Sequence, residues 1–553
     1  MDNLRTLFIF GLLIVSLLLW EAWQNDYVRP QQVATQNNVD QPVSESAPSQ
    51  DDLPELPAVT ADGLPALPES EQASASSANQ LRIKTDVIEA TIDLRGADIR
   101  ELALLQYPVD VDLPDEPVQF LNDSRENFFV TQSGLRAEGT APTHYETYTA
   151  EQSEYVMGEN SDSLSVPMRW ESDNGLTVIK TYTFTRDSYL VDVNYQIENQ
   201  SGERFAAYPY AQFNRNQPED DSFMIYTYTG AVFSSPGNEY EKVDFGELEK
   251  NDFRRDVNGG WAAMIQHYFV AAFIPAEPLQ EISLYGKAIN NTNYTAGIRF
   301  PAVVAENGEQ AQASYQIYLG PKEHQRLEPI ADNLDLTVDY GILTIISKPL
   351  FIVMEWLHKL TGNWGWSIVL LTILIKLAFY KLSAASYRSM ASMRKLTPKL
   401  ATLKERYGDD KQKFNQAMMD LYRTEKINPL GGCLPILVQM PVFISLYWVL
   451  FESVQLRHAP FMLWIQDLSV MDPYFILPIL MGASMFLQMS LNPTPPDPMQ
   501  AKIMKLMPLI FTVFFLWFPA GLVLYWLVNN ILSISQQWYI TRKIEAEMAG
   551  KKH

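Results

Sequence analysis

An ionised side chain inside an otherwise apolar run restricts what this chain can fold into more than any other feature. The run is Trp364 to Lys381, WGWSIVLLTILIKLAFYK, and the side chain is Lys376. Taken from Asn363 to Leu382, the segment makes about 30 Å of helix at about 1.5 Å per residue, enough to cross the hydrocarbon of a bilayer. Lys376 then lies roughly 9 Å from the basic end that follows, inside one leaflet. An ammonium there costs about 2.5 to 3.5 kcal/mol on an insertion scale, so a protein-lined polar cavity is expected around it. Thr372 sits one turn earlier on the same face. The competing reading has Lys376 snorkelling to the interface beside Lys381, its stem lying along lipid.

Charge divides the chain in two. Residues 1–330 hold 21 Lys+Arg and 50 Asp+Glu, net −29, whereas residues 331–553 hold 21 and 15, net +6. An acidic first part and a basic, apolar second part predict a soluble domain on one side of a membrane and a spanning domain anchored by cations on the other. Cys433 is the only cysteine, so no intrachain disulfide can form. The six histidines are scattered, and there is no Gly-rich phosphate loop or nucleophile elbow. No cofactor, metal site or covalent catalysis is expected.

Leu7 to Trp20 is apolar behind Arg5, and Glu21-Ala22-Trp23-Gln24 after it lacks a small-x-small cleavage pattern, so residues 1–23 are expected to form an uncleaved anchor. Residues 24–80, rich in Gln, Ser, Pro, Ala and acids, read as a flexible tether. From about Leu81 the hydrophobic period becomes two. Val191, Val193, Tyr195 and Ile197 alternate with polar residues, as do Tyr182 and Phe184, with Arg186-Asp187-Ser188 as the intervening hairpin loop. Ile88, Ala90, Ile92 and Leu94, and later Ala313, Tyr315, Ile317 and Leu319, repeat the pattern. Residues 81–330 are therefore expected to form one large antiparallel β-sandwich. Its aromatic residues suit either cross-strand packing or a sugar site.

Residues 331–361 are a linker and a helix. Ile342, Ile346, Leu350, Val353, Leu357 and Leu360 fall on one helical face, and Lys348, Glu355 and Lys359 on another, which predicts an amphipathic helix lying in the outer interface. Residues 383–428 read as a helical hairpin broken at Gly408-Asp409-Asp410, with Pro398 bending its first arm. Lys381 to Asn428 contain eleven basic and five acidic residues, which marks a cytoplasmic, membrane-proximal face rather than a nucleic-acid site. Further spans are expected from Asn428 to about Phe451, with Gln439 inside it, from Tyr474 to about Leu487, from Ile503 to Phe518, and from Gly521 into the polar run Asn529 to Gln537. Residues 362–545 thus form the membrane core and 546–553 a cytoplasmic tail. Thirteen of the twenty methionines lie between residues 390 and 510, which suits a surface accepting varied apolar partners or ordinary span packing.

Gly362-Asn363-Trp364-Gly365, the lysine twelve residues past Trp364, Asn428-Pro429-Leu430-Gly431-Gly432-Cys433, Gln439-Met440-Pro441, Asp497-Pro498-Met499-Gln500 and the run Phe511 to Trp526 closely resemble the YidC/Oxa/Alb family of membrane protein insertases. The anchor and large β domain resemble its Gram-negative form. The resemblance implies a multi-domain membrane protein. Its parts are an N-terminal transmembrane anchor, a periplasmic supersandwich-like β domain, and a five-span helical bundle with a cytoplasmic hairpin, in the bacterial inner membrane with both termini cytoplasmic. It implies an insertase rather than an enzyme, acting on nascent membrane proteins through a hydrophilic intramembrane groove, alone or with the Sec translocon, and meeting the translating ribosome and membrane lipids. On this chain it carries Thr372, Lys376, Gln439 and Trp517 as groove-lining positions and Thr512, Phe514 and Trp526 as contacts for an inserting helix, with Asn428, Pro429, Gly431 and Gly432 as a structural motif. Two positions depart from the family pattern: Lys376 stands where arginine is usual, and Trp526 where tyrosine is. Lysine keeps the charge and loses the planar, many-donor fork. A secondary transporter and a polysaccharide-handling envelope protein are the rival classes; the first lacks its usual paired repeat here, and sugar titration would test the second.

Overall fold

The structure, a computed structural model, describes residues 53–54, 79–218, 227–290, 292–407, 410–425, 434–491 and 498–549. The expected anchor, most of the tether, the Asn428, Pro429, Gly431 and Gly432 motif, Asp497 and residues 550–553 of the tail lie outside the described residues.

Residues 80–321 build sheets of five, six and eight strands. The alternation read from the sequence sets which face turns inward: Val191, Val193, Tyr195 and Ile197 are all buried, as are Tyr182 and Phe184 on the neighbouring strand. Asp187 turns the hairpin between them at a φ of +52°. The six- and eight-stranded sheets meet face to face, with Phe213 stacked on Phe273 at 4.0 Å and Phe300 on Tyr315 at 5.3 Å. Lys180 is wholly buried near this seam, donating to Asp98 at 3.1 Å and to the Gly96 carbonyl at 2.9 Å. Tyr148, Tyr182, Tyr195 and Tyr315 are buried as well, so these aromatics serve packing rather than an open sugar cleft.

After a short turn at His324–Leu327, the chain enters the helices. These are α1 (Thr344–Thr361), α2 (Trp364–Ala378), α3 (Tyr380–Tyr407), α4 (Lys411–Thr424), α5 (Leu434–Glu452), α6 (Ile476–Ser490), α7 (Pro498–Phe514) and α8 (Ala520–Ala549). The Gly362-Asn363-Trp364-Gly365 motif is a stop, a start and a close approach. Gly362 takes the left-handed conformation that ends α1, and Asn363 caps α2 by accepting from the Trp366 amide at 3.1 Å. Asn363 also donates to the Pro460 and Phe461 carbonyls at 3.0 Å, and the Phe461 ring lies where a Gly365 side chain would be.

On α1, Ser347, Phe351, Met354 and Leu357 face the protein, while Ile342, Val353 and Leu360 of the apolar stripe are exposed. The helix is apolar on two faces, and the tertiary fold chooses between them. The segment expected to run straight from Asn363 to Leu382 breaks at Phe379, where α3 leaves α2 at 66°. α3 runs through Pro398, the position expected to bend it, to Tyr407. Among the described residues, Gly341–Thr361 is the one helix long and apolar enough to cross a membrane, and the bent pair at Phe379 is a second candidate; Val438–Glu452 and Ile476–Ser490 are apolar but shorter. α1 packs on α2 and α5, and two polar bonds tie it to the residues that end the β domain: Lys348 donates to Asp335 at 2.8 Å and Glu355, two turns on, accepts from Gln325 at 2.6 Å.

The β domain stands on the bundle through a polar seam. Lys322 pairs with Glu452 at 3.0 Å, both buried; Arg457 donates to the Val109 carbonyl at 2.9 Å; and His267 Nε2 bonds the Phe451 carbonyl at 2.9 Å. That carbonyl can only accept, so His267 is protonated at Nε2. Burial first, and then the nearby Lys322 and Arg457 charges, hold its pKa down at about 4 against an ordinary 6.5. The docked form therefore keeps the imidazole neutral, whereas a detached one takes up a proton near 6.5. In that window the detached form binds more protons, so seam stability is full above pH 6.5 and declines as pH falls toward 4. Thermal unfolding between pH 7.5 and 4.5 should show a falling transition, and His267→Gln, which keeps the donor, should flatten it.

Candidate functional site at the centre of the helical bundle

Glu452, Trp364 and Ala520 all lie toward the β-domain end of the bundle. From them α5, α2 and α8 run away into it, and about 18 to 20 Å along each helix a polar residue arrives at the same depth: Gln439, Lys376 and Ser533. Lys376 is 7% exposed, and its ammonium donates to Ser533 Oγ at 2.7 Å and to Gln439 Oε1 at 3.4 Å. Ser533 passes its own hydroxyl proton to the Asn529 carbonyl at 2.7 Å. The Gln439 amide donates to Asn529 Oδ1 and, at 3.5 Å, to the Tyr525 hydroxyl. Among the described residues no carboxylate pairs with Lys376. Neutral dipoles solvate it, which leaves its positive charge uncancelled inside the bundle.

Of the residues singled out in the sequence, the structure brings Lys376 and Gln439 together directly. Thr372 is buried one turn above, its hydroxyl bonded to the Ile368 carbonyl at 2.7 Å, so it packs rather than lines an opening. Thr512 donates to the Pro508 carbonyl at 2.7 Å and sits against Gly482 of α6, where a Cβ would come within 1.8 Å of Thr512 Oγ1. Phe514 and Trp517 are about half exposed at the β-domain end of α7, Phe514 packing on Phe518 at 4.7 Å between centroids. Trp526 lies edge-on to Phe443 at 4.5 Å, and its indole N–H is buried with no partner among the described residues.

The open groove implied by the resemblance is closed in this conformation. The space beside Lys376 is about 10 Å³, bounded by Phe379, Leu382 and Ser383 at the break between α2 and α3 and by Val438 and Gln439 of α5. That is room for no more than one water. Tyr525, Asn529 and Ser533 join this polar cluster, and sequence reasoning had not singled them out. Their spacing of four puts all three on one face of α8.

A β-sandwich joined to short apolar helices, with a buried cation at their centre, defines a membrane protein with a large extramembrane domain. The family description "YidC periplasmic domain" matches residues 80–353, and "60Kd inner membrane protein" matches residues 356–547. A membrane protein insertase YidC of Nitrosococcus oceani is 51% identical over 99% of this chain and 100% of its own length. That of Thioalkalivibrio sulfidiphilus is 48% identical over 100% of both. A crystal structure of an active YidC insertase with its first transmembrane domain resolved aligns with a TM-score of 0.38 and 19% identity, covering 84% of this chain and 93% of that one. The chain belongs to the YidC family of membrane protein insertases, proteins of the inner membrane.

Proposed function

We propose that this insertase works by admitting the polar tail of a client to the Lys376 cluster while the client's apolar helix leaves sideways into lipid. The observation that carries this reading is the buried ammonium that, among the described residues, donates to the neutral side chains of Ser533 and Gln439. A polar centre within the bilayer lowers the cost of holding a hydrated segment partway across, and the short helices α2 and α6 reduce the barrier that remains. Burial of apolar surface then drives the client helix outward. The outer faces of α6 and α7 suit that exit, since Ile479, Phe486, Leu509, Val513 and Phe514 are exposed there. Because the cavity beside Lys376 lies at the 66° break, outward movement of the first turn of α3 is the simplest way to open it.

The topology in this reading has the N-terminus inside, residues 24–340 outside, the hairpin 383–428 inside and the C-terminus inside, with six spans counting the anchor. The excess of Lys and Arg after Lys381 supports it. So do the bonds from α1 to Asp335 and Gln325, which hold it near the β-domain end of the bundle as suits an interfacial helix. Clients are nascent membrane proteins, and the basic hairpin faces the ribosome; the Sec translocon is a partner for larger clients. Thr512, Phe514, Trp517 and Trp526 lie along the client's path.

Site-specific crosslinking tests the path. A photoreactive residue at position 439 should capture a stalled nascent client early, through its polar tail, and one at position 514 should capture its apolar helix later. Capture from position 514 alone, with none from position 439 at any chain length, would place the client outside the cluster.

A further inference from the structure

Leu53 and Pro54 are described in the structure, and both are buried, with Leu53 only 6% exposed. They sit on the outer face of the six-stranded sheet, in a groove lined by Asp252, Phe253, Arg254, Tyr285, Lys287 and Arg299. The pleat builds this groove. Arg254 lies opposite Tyr285 on the adjacent strands Phe253–Asn258 and Glu281–Ile289, and Ser283 lies opposite Arg299 on the next, so these side chains share a face. Tyr285 covers Gly297, where a Cβ would come within 2.8 Å of its ring, and its hydroxyl donates to Gln212 Oε1 at 2.8 Å. Arg299 donates to Ser283 Oγ at 2.7 Å. The floor is thus fixed and aromatic, and Arg254, Lys287 and Arg299 give its lining three cations against the one carboxylate of Asp252.

The segment seated there matches it in chemistry. Leu53-Pro54 is flanked in sequence by Asp51, Asp52 and Glu55. Proline restricts the backbone to extended forms before binding, which lowers the ordering cost of laying a short segment on an aromatic floor. Opposite charges at the rim speed and orient the encounter. The pattern Leu-Pro-x-Leu-Pro occurs twice in the tether, at 53–57 and 64–68, and the structure seats the copy with three acids beside it.

We propose that this groove is a docking site for an acidic Leu-Pro segment and that the chain occupies it with its own residues 51–55, latching the tether to the β domain. A free tether from residue 24 to residue 80 spans about 40 Å root mean square; held at residue 53, its first arm spans about 30 Å. The latch therefore limits how far the N-terminal segment reaches from the β domain, and it leaves the groove open to a competing acidic Leu-Pro peptide.

Two measurements on the full-length chain in nanodiscs test this. In a Cys433→Ser background, Asp52→Cys paired with Asp252→Cys should react with a short bismaleimide at least tenfold faster than Ala34→Cys paired with Asp252→Cys. Equal rates would overturn the latch. A dye-labelled peptide of residues 49–60 should bind the variant Leu53→Asp/Pro54→Ser at least tenfold more tightly than the wild-type chain, whose groove is filled. Adding Arg254→Glu and Lys287→Glu to that variant should abolish the gain. Equal binding to variant and wild type, or binding indifferent to the reversed charges, would overturn the site.

Discussion

Replacing Lys322 by methionine is expected to loosen the β domain from the helical bundle more than any other single substitution at the seam. Lys322 and Glu452 are 3% and 7% exposed and pair at 3.0 Å, so removing the cation leaves a carboxylate buried without its counter-charge. Breaking a buried pair in this way costs about 3 to 5 kcal/mol, whereas replacing both partners by apolar groups is often close to neutral. At about 1.4 kcal/mol per factor of ten, the detached population should rise a hundredfold or more. The double variant Lys322→Met/Glu452→Leu should recover most of that loss. Thermal unfolding in detergent, with protease sensitivity of the linker at residues 328–341 as a second readout, measures both. A double variant as unstable as the single one would show that the seam depends on something other than this pair.

The second large effect concerns Lys376. At an effective dielectric near 20 and a separation of 4 to 8 Å, a unit charge attracts a client carboxylate by about 2 to 4 kcal/mol. Lys376→Ala removes that attraction and should lower insertion of a client with an acidic tail by roughly tenfold or more. A client with a neutral tail and a strongly apolar span should be little affected, since partitioning into lipid drives it. Lys376→Arg should be tolerated, because charge and reach are retained. Ser533→Ala and Gln439→Leu, which leave the ammonium in place and remove its solvating dipoles, should give intermediate losses for the same acidic client.

The sheets were legible because a strand's parity decides burial: Val191, Val193, Tyr195 and Ile197 had to share a face, and one residue of slip would have exposed all four. Lys376 was legible for a related reason, since one charge in an apolar run stands out wherever the run folds. Its partners were not. Tyr525, Asn529 and Ser533 belong to a polar run that reads as the end of a span, and only the long-range register between α2, α5 and α8 shows that they face Lys376. On α1 apolar residues occupy two sides, and periodicity cannot tell which of them meets a protein neighbour and which an apolar solvent. The break at Phe379 carries no proline or glycine, so the sequence offered no signal for it. The ion pair of Lys322 with Glu452 joins residues 130 positions apart and has no local signature at all.

Whether Lys376 acts as the positive centre of a client-accepting site can be decided with a matched pair of clients that differ only in tail charge, inserted by the Lys376→Ala variant present at normal level. The account predicts that the acidic-tailed client fails while the neutral one inserts nearly as it does with the unaltered protein. Full and equal insertion of both would contradict it, and would leave Lys376 as an interfacial anchor whose place Lys381 can take.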